Sequence, residues 1–358
     1  MEKKRLMFYI NTLGTGGAER VMSQLAAHFC RDGYDVFFVT SFPIAGEYPL
    51  EQGVTRLHLE EKEIAGSRIK RNVTRIAKLR KLCKKYRPDV LIAFMQEPNF
   101  RAILAAIGLP VKTVISVRND PNREYAGKVG RFVGKYILPM ADGCVFQTEQ
   151  AKAWFPEKLQ KKSKIIFNEV AEGFFEVERN YVKNVITVGR LTEQKNHPML
   201  IRAFAKIADK YPEQKLLIYG KGDKKEQLES LIRELGMEDR VLLMGATTDV
   251  PGVLAKAQTF VLSSDYEGMP NALMEALAVG VPSISTACPC GGPEMLIANE
   301  QNGLLVSVRD EVALASAMDR LLGDPTFAQQ MGVAARERAK QYMPEEIFEQ
   351  WGNYISGV

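Results

Sequence analysis

Short apolar runs rich in β-branched and aromatic residues recur along this 358-residue chain, and amphipathic stretches of helical period separate them. The clearest runs lie at residues 5–10, 35–40, 54–59, 90–94, 113–117, 143–147, 185–188, 216–219, 241–244 and 259–262. A run of this length predicts a buried strand, and a 3.6-residue period predicts a helix packed on it. The alternation therefore predicts α/β domains built on parallel sheets with helices on both faces.

The stretch 259–280, TFVLSSDYEGMPNALMEALAVG, shows this pattern of strand, turn and helix most clearly. Thr259–Leu262 is an apolar strand, and a polar turn follows it as far as Gly268. Pro270 stands where a first helical residue is expected, because its missing N–H is one of the donors that a helix start leaves free anyway. Beyond it, Leu273 and its apolar neighbours recur at spacings of three and four, which predicts a helix.

Two carboxylates frame the start of this predicted helix. Glu267 lies just before it, and Glu275 lies about two turns into it. The unpaired N–H groups of a helix start favour phosphate, whereas a carboxylate accepts hydrogen bonds from sugar hydroxyls or stabilises positive charge on a sugar ring. The combination suits a sugar attached to a phosphate. An ordinary strand–helix unit with two solvated glutamates is the alternative that these residues leave open.

The length of the chain suits two domains of ordinary size. An irregular acidic segment at 168–184 predicts the boundary, with an N-terminal domain over 1–168 and a C-terminal domain over 169–342. No apolar run approaches the roughly 20 residues of a membrane span, and the short run near the N-terminus predicts a first strand instead of a signal peptide. The five cysteines are odd in number, which favours a reducing, cytoplasmic location over a disulfide framework.

Charge is divided unevenly between the two halves. Residues 1–170 carry 29 Lys and Arg against 17 Asp and Glu, a net +12, whereas residues 171–358 carry a net −7. The most basic segment, 62–87, combines its cations with an amphipathic helical pattern. We interpret it as a face that lies peripherally on the anionic surface of the inner membrane, with a solvated outer helix as the alternative. Nucleic acid is not expected as a partner, because Tyr86 is the only aromatic residue among these charges.

A glycine-rich turn at 11–20 connects the first predicted strand to a helix, and such a turn lets backbone N–H groups approach a phosphate. A dinucleotide-binding dehydrogenase has a similar turn, but its G-x-G-x-x-G pattern fails here, because Glu19 stands where the third glycine is required. The next strand ends at Thr40 and Ser41, without the acidic residue that binds a ribose. Both departures argue against a dehydrogenase.

Two further turns follow predicted strands in the second half. The sequence GRLTEQKN places Arg190 and Lys195 where both can reach one diphosphate. Gly220 and Gly222 form a second glycine turn, which we expect beside the nucleotide, and a loop ending at Val250 is placed to meet the base. The chain has no D-x-D pair to hold a metal ion, so these cations and the helix starts are expected to stabilise the leaving group without a metal cofactor.

Arg118 and Asp120 lie at the end of the strand predicted over 113–117. The carboxyl ends of strands are where α/β sheets place their ligands, so we expect both side chains to line the substrate site. A purely structural Asp-Pro turn at Asp120 is the alternative.

Three motifs, taken in order, resemble those of the retaining nucleotide-sugar glycosyltransferases of family 4: Gly16–Arg20 (GGAER), Gly189–Asn196 (GRLTEQKN) and Glu267–Glu275. The similarity extends over nearly the whole chain. It implies the GT-B architecture, in which two Rossmann-like doubly wound domains face each other across a cleft and a C-terminal segment, here 343–358, crosses back to the first domain. Many relatives carry a histidine at the position of Arg118, so a catalytic histidine is not carried over to this chain.

The resemblance implies a role for each matching residue. Glu267 would hold hydroxyls of the donor sugar and stabilise an oxocarbenium-like transition state, while Arg190 and Lys195 would bind the diphosphate. Glu275 would bind the ribose hydroxyls. Further contacts with the donor are expected from Gly16, Gly17, Gly189, Gly220, Gly222, Val250, Gly268, Met269, Pro270, Asn271 and Leu273.

The reaction implied by the resemblance is transfer of a hexose or N-acetylhexosamine from a nucleotide diphosphate to a hydroxyl, with retention at the anomeric carbon. The GGAER and SVRNDPN segments resemble those of bacterial enzymes that extend lipid-linked exopolysaccharide, capsule or glycan precursors. The preferred donor is then a UDP sugar such as UDP-N-acetylgalactosamine, and the acceptor is a lipid-linked glycan. A GT-B nucleotide-sugar epimerase and a non-catalytic sugar-nucleotide-binding protein are the alternatives.

Overall fold

The computed structural model describes residues 4–14 and 16–358. The chain divides into two compact units. Unit 1 extends to Asn168 and also includes Ile347–Val358, while unit 2 comprises Glu169–Glu346. Each unit has its own parallel sheet and its own hydrophobic core.

Unit 1 is built on a sheet of seven strands within the described residues. In chain order these strands are β1 (Arg5–Ile10), β2 (Asp35–Thr40), β3 (Thr55–His58), β4 (Val90–Phe94), β5 (Lys112–Ser116), β6 (Gly143–Phe146) and β7 (Ser163–Ile165). They lie in the order β3-β2-β1-β4-β5-β6-β7, and every pairing is parallel. The strand order reverses between β1 and β4, and a doubly wound sheet binds ligands near such a reversal.

The helices of unit 1 cover both faces of its sheet. They are α1 (Gly17–Arg31), α2 (Arg68–Tyr86), α3 (Gln96–Ala106), α4 (Pro121–Glu124), α5 (Gly127–Phe132), α6 (Glu149–Ala153) and α7 (Glu157–Gln160). Strand β1 shows how its sequence divides the two faces. Phe8 belongs to the core that α1 covers, whereas its neighbours Met7 and Tyr9 belong to the core that α2 and α3 cover, as the two-residue period of a strand requires.

Unit 2 repeats this arrangement with a sheet of six strands among the described residues. These are β8 (Asn184–Val188), β9 (Lys215–Tyr219), β10 (Val241–Gly245), β11 (Thr259–Leu262), β12 (Ser283–Thr286) and β13 (Leu304–Val306). Their order is β10-β9-β8-β11-β12-β13, again with parallel pairings. The strand order therefore reverses between β8 and β11, which brings the ends of these two strands to one edge of the sheet.

The helices of unit 2 are α8 (Gly173–Glu176), α9 (His197–Ile207), α10 (Lys225–Glu234), α11 (Val250–Ala255), α12 (Asn271–Val279), α13 (Gly292–Leu296), α14 (Glu311–Gly323) and α15 (Pro325–Ala339). The last helix, α16 (Pro344–Ser356), begins at the end of unit 2. Its apolar face packs Ile347, Trp351 and Ile355 into the core of unit 1. This helix therefore belongs to unit 1 by its contacts.

The predicted fold class, two parallel-sheet α/β domains, is confirmed. Some element bounds differ from the predictions. The strand expected over 54–59 is the shorter Thr55–His58, at the edge of its sheet. Pro270 was expected as the first helical residue, but it is the residue before α12 and has extended backbone angles (φ −79°, ψ 97°).

Candidate active site

Lys195 and Glu267 form the centre of a polar cluster in unit 2. The Nζ atom of Lys195 lies 2.6 Å from Oε1 of Glu267, and the two side chains are only 14% and 9% exposed. The hydroxyl of Ser264 donates to the same carboxylate oxygen at 2.7 Å, and Nε2 of Gln194 approaches the other oxygen at 3.4 Å. Two of the sequence motifs thus meet at one ion pair, which is shielded from water and further stabilised by a hydroxyl donor.

A second set of bonds fixes the two loops that carry this pair. The backbone N–H of Asp265 donates to the carbonyl of Gln194 at 2.8 Å, and the side-chain amide of Asn196 donates to Oδ1 of Asp265 at 2.8 Å. The hydroxyl of Ser263 donates to the carbonyl of Lys195, also at 2.8 Å. These three hydrogen bonds join the loops after β8 and β11 into one polar edge, which holds the carboxylate and the ammonium side by side.

Gly220 and Gly222 bring a third loop against the loop after β8. A Cβ atom at Gly220 would lie 1.8 Å from the carbonyl oxygen of Gly189, and one at Gly222 would lie 2.2 Å from the carbonyl oxygen of Leu191. A Cβ atom at Gly189 would meet the side chain of Lys195 at 3.2 Å. Close backbone packing thus accounts for Gly220 and Gly222, and the side chain of Lys195 limits the space at Gly189. The contacts with a nucleotide expected of all three stay predictions.

The turn between β11 and α12 is buried. Gly268, Met269 and Pro270 are all shielded from solvent, and a Cβ atom at Gly292 would lie 1.8 Å from the carbonyl oxygen of Gly268. The turn therefore packs on the start of α13. Helix α12 begins at Asn271, and the N–H groups of its first turn are the donors that a helix leaves for an anion or a sugar.

Leu273 and Glu275 lie deeper in α12 and are 0% and 4% exposed. The helix is enclosed by α8, α11 and α15. A carboxylate in such surroundings requires polar partners, and Glu275 has one within the chain. Binding of ribose hydroxyls by Glu275, and a donor contact by Leu273, stay predictions.

Arg190 and Val250 are more accessible. The side chain of Arg190 is exposed, and no carboxylate among residues 4–14 and 16–358 pairs with it. Val250 is half-buried and is the first residue of α11, where Asp249 accepts a hydrogen bond from the backbone N–H of Gly252 at 2.9 Å. The guanidinium of Arg190 can therefore bind a diphosphate in the bidentate manner without first breaking an ion pair.

Sequence reasoning missed three groups beside Glu267, namely Ser264, Gln194 and Cys288. Burial raises the pKa of the Cys288 thiol to about 12, and the carboxylate of Glu267 contributes to this shift, so the thiol stays protonated at neutral pH. The pairing of β11 with β12 is the signal that places Cys288 there, because parallel neighbours end at the same edge. Across the described part of the chain, no three His, Cys, Asp or Glu side chains are grouped as metal ligands.

A cavity of about 440 Å³ opens near this edge of unit 2. It shares Asn196 and Asp265 with the loops described above, but neither Lys195 nor Glu267 lines it. Each cation on its wall already forms an ion pair with a carboxylate of the same unit: Arg202, Lys224 and Arg309. A diphosphate bound there would have to displace a carboxylate, whereas one bound at Arg190 would not.

In unit 1, Gly16 and Gly17 stand at the start of α1, Gly16 as the residue before the helix and Gly17 as its first residue. Thr15, in the same predicted turn, lies outside the described residues. A Cβ atom at Gly16 would lie 2.3 Å from a carboxylate oxygen of Glu19. A negative side chain thus covers this helix start, as in a capping box, and it would have to move before a phosphate could bind.

Arg118 is buried, and it contacts several residues of unit 1. Its Nη1 donates to Oδ1 of Asn168 at 2.7 Å, and its guanidinium carbon lies 3.8 Å from the centroid of the Phe94 ring and 5.9 Å from that of Trp351. The side-chain amide of Gln147 donates to the same Asn168 oxygen at 2.6 Å. These contacts tie the loop after β5 to α16, so Arg118 has a structural role, and its contact with substrate stays a prediction.

Asp120 caps α4. Its Oδ1 accepts hydrogen bonds from the backbone N–H and the side-chain amide of Asn122, at 3.0 and 3.2 Å, and the residue is 4% exposed. Pro121 is the first residue of the helix. These contacts are those of the structural Asp-Pro turn that the sequence left open as the alternative, and a substrate contact of Asp120 stays a prediction.

The basic segment 62–87 forms α2 for most of its length. Leu79 and Cys83 are buried on the inner face of the helix, whereas Ile69 and Val73 are 76% and 62% exposed. The outer face therefore mixes apolar side chains with cations. Within the part of the chain that the structure describes, no helix is long and apolar enough to cross a membrane.

Two family profiles match the chain, one for each unit. The profile described as Glycosyltransferase Family 4 matches residues 15–170, and that described as Glycosyl transferases group 1 matches residues 174–338. Together they contain all three sequence motifs.

Two proteins of Campylobacter jejuni are similar over the whole chain. One is named as an α-1,4-N-acetyl-D-galactosaminyltransferase acting on GalNAc-α-(1→4)-GalNAc-α-(1→3)-diNAcBac-PP-undecaprenol; it is 30% identical, with 99% of each chain covered. The other is named N-acetylgalactosamine-N,N′-diacetylbacillosaminyl-diphospho-undecaprenol 4-α-N-acetylgalactosaminyltransferase; it is 28% identical, with 99% of this chain and 100% of the relative covered.

Among solved structures, sucrose-phosphate synthase from Thermosynechococcus elongatus matches with a TM-score of 0.84 at 20% identity, with 99% of each chain covered. Anabaena HepE in complex with UDP and glucose matches with a TM-score of 0.83 at 19% identity and the same coverage.

Proposed function

Since the chain belongs to the family-4 glycosyltransferases, we propose that it transfers an N-acetylhexosamine or hexose from a nucleotide diphosphate to a hydroxyl of a lipid-linked glycan. UDP-N-acetylgalactosamine is the preferred donor, because both Campylobacter relatives are named as N-acetylgalactosaminyltransferases. The transfer retains the configuration of the anomeric carbon. This last feature rests on the resemblance of the motifs.

The ion pair between Lys195 and Glu267 is the observation that carries this proposal. A carboxylate held at 2.6 Å from an ammonium and at 2.7 Å from a hydroxyl has a fixed position. Placed below a sugar ring, it would accept hydrogen bonds from the ring hydroxyls and stabilise the positive charge that develops as the glycosidic bond breaks. Lys195 would contact both the Glu267 carboxylate and the diphosphate. An ammonium with three N–H donors can hold the carboxylate and still donate to a phosphate.

Arg190 supplies the second cation in this proposal. Its exposed guanidinium would bind the diphosphate, and the first turn of α12 would offer further backbone N–H donors. The leaving nucleotide carries its negative charge on the diphosphate, so two cations and a helix start offset that charge as the bond breaks. The proposal therefore requires no metal cofactor.

The acceptor follows from the relatives. Both Campylobacter proteins are named for glycans on a diphospho-undecaprenol carrier, and both match this chain over its full length. Unit 1 includes the basic helix α2, which exposes cations beside Ile69 and Val73. We take this helix to lie against the anionic membrane that contains the carrier lipid, which makes the protein a peripheral membrane enzyme on the cytoplasmic side.

The test is an assay with a panel of nucleotide sugars and a diphospho-lipid disaccharide acceptor, followed by NMR of the product. We expect transfer from UDP-N-acetylgalactosamine, with the anomeric configuration of the donor kept in the product. Inversion at that carbon would contradict the mechanism, and transfer from a different donor would correct the sugar alone. Release of free nucleotide with an epimerised sugar and no acceptor product would identify an epimerase instead.

A further inference from the structure

The segment Gly127–Met140 of unit 1 presents an apolar face to solvent. It is helical throughout, since α5 continues into a π turn over Val133–Ile137 and a 3₁₀ turn over Leu138–Met140. Four large apolar side chains on it are exposed: Val129 (77%), Phe132 (55%), Tyr136 (54%) and Met140 (48%). Their spacings of three, four and four residues place them on one side of the helical segment. We refer to these four side chains as the apolar ridge.

The opposite side of this segment is fixed to unit 1. Gly130, Gly134 and Leu138 are buried, and a Cβ atom at Gly134 would lie 2.7 Å from the ring of Trp154. The segment packs against α3 through its π and 3₁₀ turns. The ridge therefore faces outward because the other side is anchored, and its exposure does not result from an unpacked loop.

Cations are interleaved with the ridge. Lys128, Arg131 and Lys135 are all exposed, and residues 127–140 contain no Asp or Glu. The Phe132 and Tyr136 rings lie 5.2 Å apart, centroid to centroid. Apolar side chains flanked by cations are the composition of a segment that lies in the interface of an anionic bilayer, where aromatic rings sit among the headgroups and cations contact phosphates.

The ridge and α2 lie on the same face of the unit 1 sheet. Helix α3 contacts both, with α2 packed beside it in the core that covers this face. The exposed side chains of Ile69 and Val73 on α2 therefore belong to the same face as the ridge. Two strips of apolar and basic residues on one face fit a broad anionic surface better than they would fit a single narrow partner.

We propose that the apolar ridge inserts into the headgroup region of an anionic lipid bilayer, with Lys128, Arg131 and Lys135 at the lipid phosphates. A second copy of the chain is a poorer occupant, because a symmetric contact through the ridge would bring three cations of each copy together with no carboxylate in the segment to offset them. The proposal deepens the function proposed above, since it brings the bilayer that contains the acceptor to unit 1. Vesicle binding requires neither donor nor acceptor, so it can fail or succeed independently of that function.

The experiment is cosedimentation of the full chain with vesicles of phosphatidylcholine alone and with about 30% phosphatidylglycerol, a content at which anionic lipids attract basic segments. The variant Phe132→Ser/Tyr136→Ser removes the aromatic part of the ridge. The matched control is Val312→Ser/Val333→Ser, which replaces two exposed apolar residues of unit 2 (66% and 67% exposed). We expect wild type and control to bind the anionic vesicles equally and the ridge variant to partition at least about tenfold less.

Insertion is checked separately with Phe132→Trp, whose fluorescence should shift to the blue when anionic vesicles are added. Thermal unfolding should be unchanged in the ridge variant, because both replaced side chains are exposed. Its transfer to an acceptor with a short, water-soluble lipid should also equal that of wild type, which separates a failure of docking from a failure of the proposed function.

Several outcomes would overturn the proposal. These are absence of wild-type binding to anionic vesicles, wild-type binding by the ridge variant, or equal losses in ridge variant and control. Loss of binding in Ile69→Ser/Val73→Ser with full binding by the ridge variant would assign insertion to α2 instead. A wild-type dimer that becomes monomeric in the ridge variant would assign the ridge to a second copy of the chain.

Discussion

Each unit holds a shielded carboxylate shortly after a strand of its sheet, at the end of α4 in unit 1 and before α12 in unit 2. The two carboxylates are stabilised in different ways. In unit 2, Glu267 has the ammonium of Lys195 at 2.6 Å. In unit 1, Glu124 accepts one hydrogen bond, at 2.9 Å, from the backbone N–H of Gln96 at the start of α3. Its other oxygen is shielded from solvent and has no hydrogen-bond partner among the described residues. Burial raises the pKa of Glu124 to about 7.

The two carboxylates therefore differ in how their charge is compensated, and the catalytic role proposed for Glu267 has no counterpart at Glu124. Glu267 belongs to a cluster drawn from its own loop after β11 and from the loop after β8, the two strands at the strand-order reversal, and the ammonium of Lys195 compensates its charge. Glu124 caps a helix and has no such cation within the described residues. The other polar residues expected at the substrate site of unit 1, Arg118 and Asp120, are likewise engaged in contacts that hold the unit together.

The largest expected effect is that of Glu267→Gln. The change keeps the shape of the side chain and removes its charge, so transfer should fall by about a thousandfold, which corresponds to about 4 kcal/mol of transition-state stabilisation. Steady-state kinetics and calorimetric titration with UDP measure the two quantities, and the dissociation constant for UDP should stay within about threefold of wild type. Glu193→Gln, a change at an exposed carboxylate of a neighbouring surface pair, is the control. Wild-type turnover by Glu267→Gln would refute the role assigned to this residue.

The next effect is that of Lys195→Met, which keeps the aliphatic bulk and leaves the Glu267 carboxylate without its cation. Removing one partner of a shielded ion pair should lower the free energy of unfolding by about 2 kcal/mol. Urea unfolding measures this loss, with Lys224→Met as the control for a more exposed lysine. Combining Lys195→Met with Glu267→Gln should recover part of the loss, because the two residues are in contact. Additive losses in the double variant would mean that the pair is not coupled.

Arg190→Ala should weaken binding of UDP by about tenfold, or about 1.4 kcal/mol, because a bidentate partner of the diphosphate is lost. The free energy of unfolding should not change, since the side chain is exposed. Calorimetric titration with UDP measures the affinity, and Arg202→Ala on the wall of the 440 Å³ cavity is the matched control. A larger loss of affinity in Arg202→Ala than in Arg190→Ala would move the diphosphate to that cavity.

The smallest effect concerns Glu124 and depends on pH. Its pKa is about 7 in the folded chain and about 4.3 in an unfolded one, so the folded state binds the proton more tightly. The stabilisation that this proton provides is present below the unfolded pKa and is lost as the pH rises towards 7, by about 1 kcal/mol after allowance for partial solvent exposure.

The variant Glu124→Gln removes this titration and keeps an acceptor for the N–H of Gln96. Thermal unfolding at pH 5 and pH 8 should therefore show wild type losing stability relative to Glu124→Gln as the pH increases. Parallel curves for the two proteins would mean that Glu124 is charged throughout this range and that the contrast with Glu267 does not hold.

Much of the fold follows from the sequence, because period and run length encode strands and helices directly. The run Thr259–Leu262 is a strand within the predicted bounds. The meeting of Lys195 with Glu267 also follows once both are placed after strands that border the reversal of strand order.

Other features depend on packing between segments far apart in the chain, which no local pattern records. The packing of Arg118 on Phe94, beside Trp351, requires α16 to return to unit 1. The carboxylate of Glu19 over Gly16 and the packing of Gly220 on Gly189 are likewise set by tertiary contacts. No prediction was made from the sequence for residues 127–140, and the structure shows which side of this helical segment is buried.

The decisive measurement of where the donor binds is a crystal structure of Glu267→Gln with the intact sugar nucleotide, which slow turnover preserves. We expect diphosphate oxygens within hydrogen-bonding distance of Arg190 and Lys195, and a sugar hydroxyl at the side chain of residue 267. A diphosphate held instead in the cavity lined by Arg202, Lys224 and Arg309 would contradict this expectation.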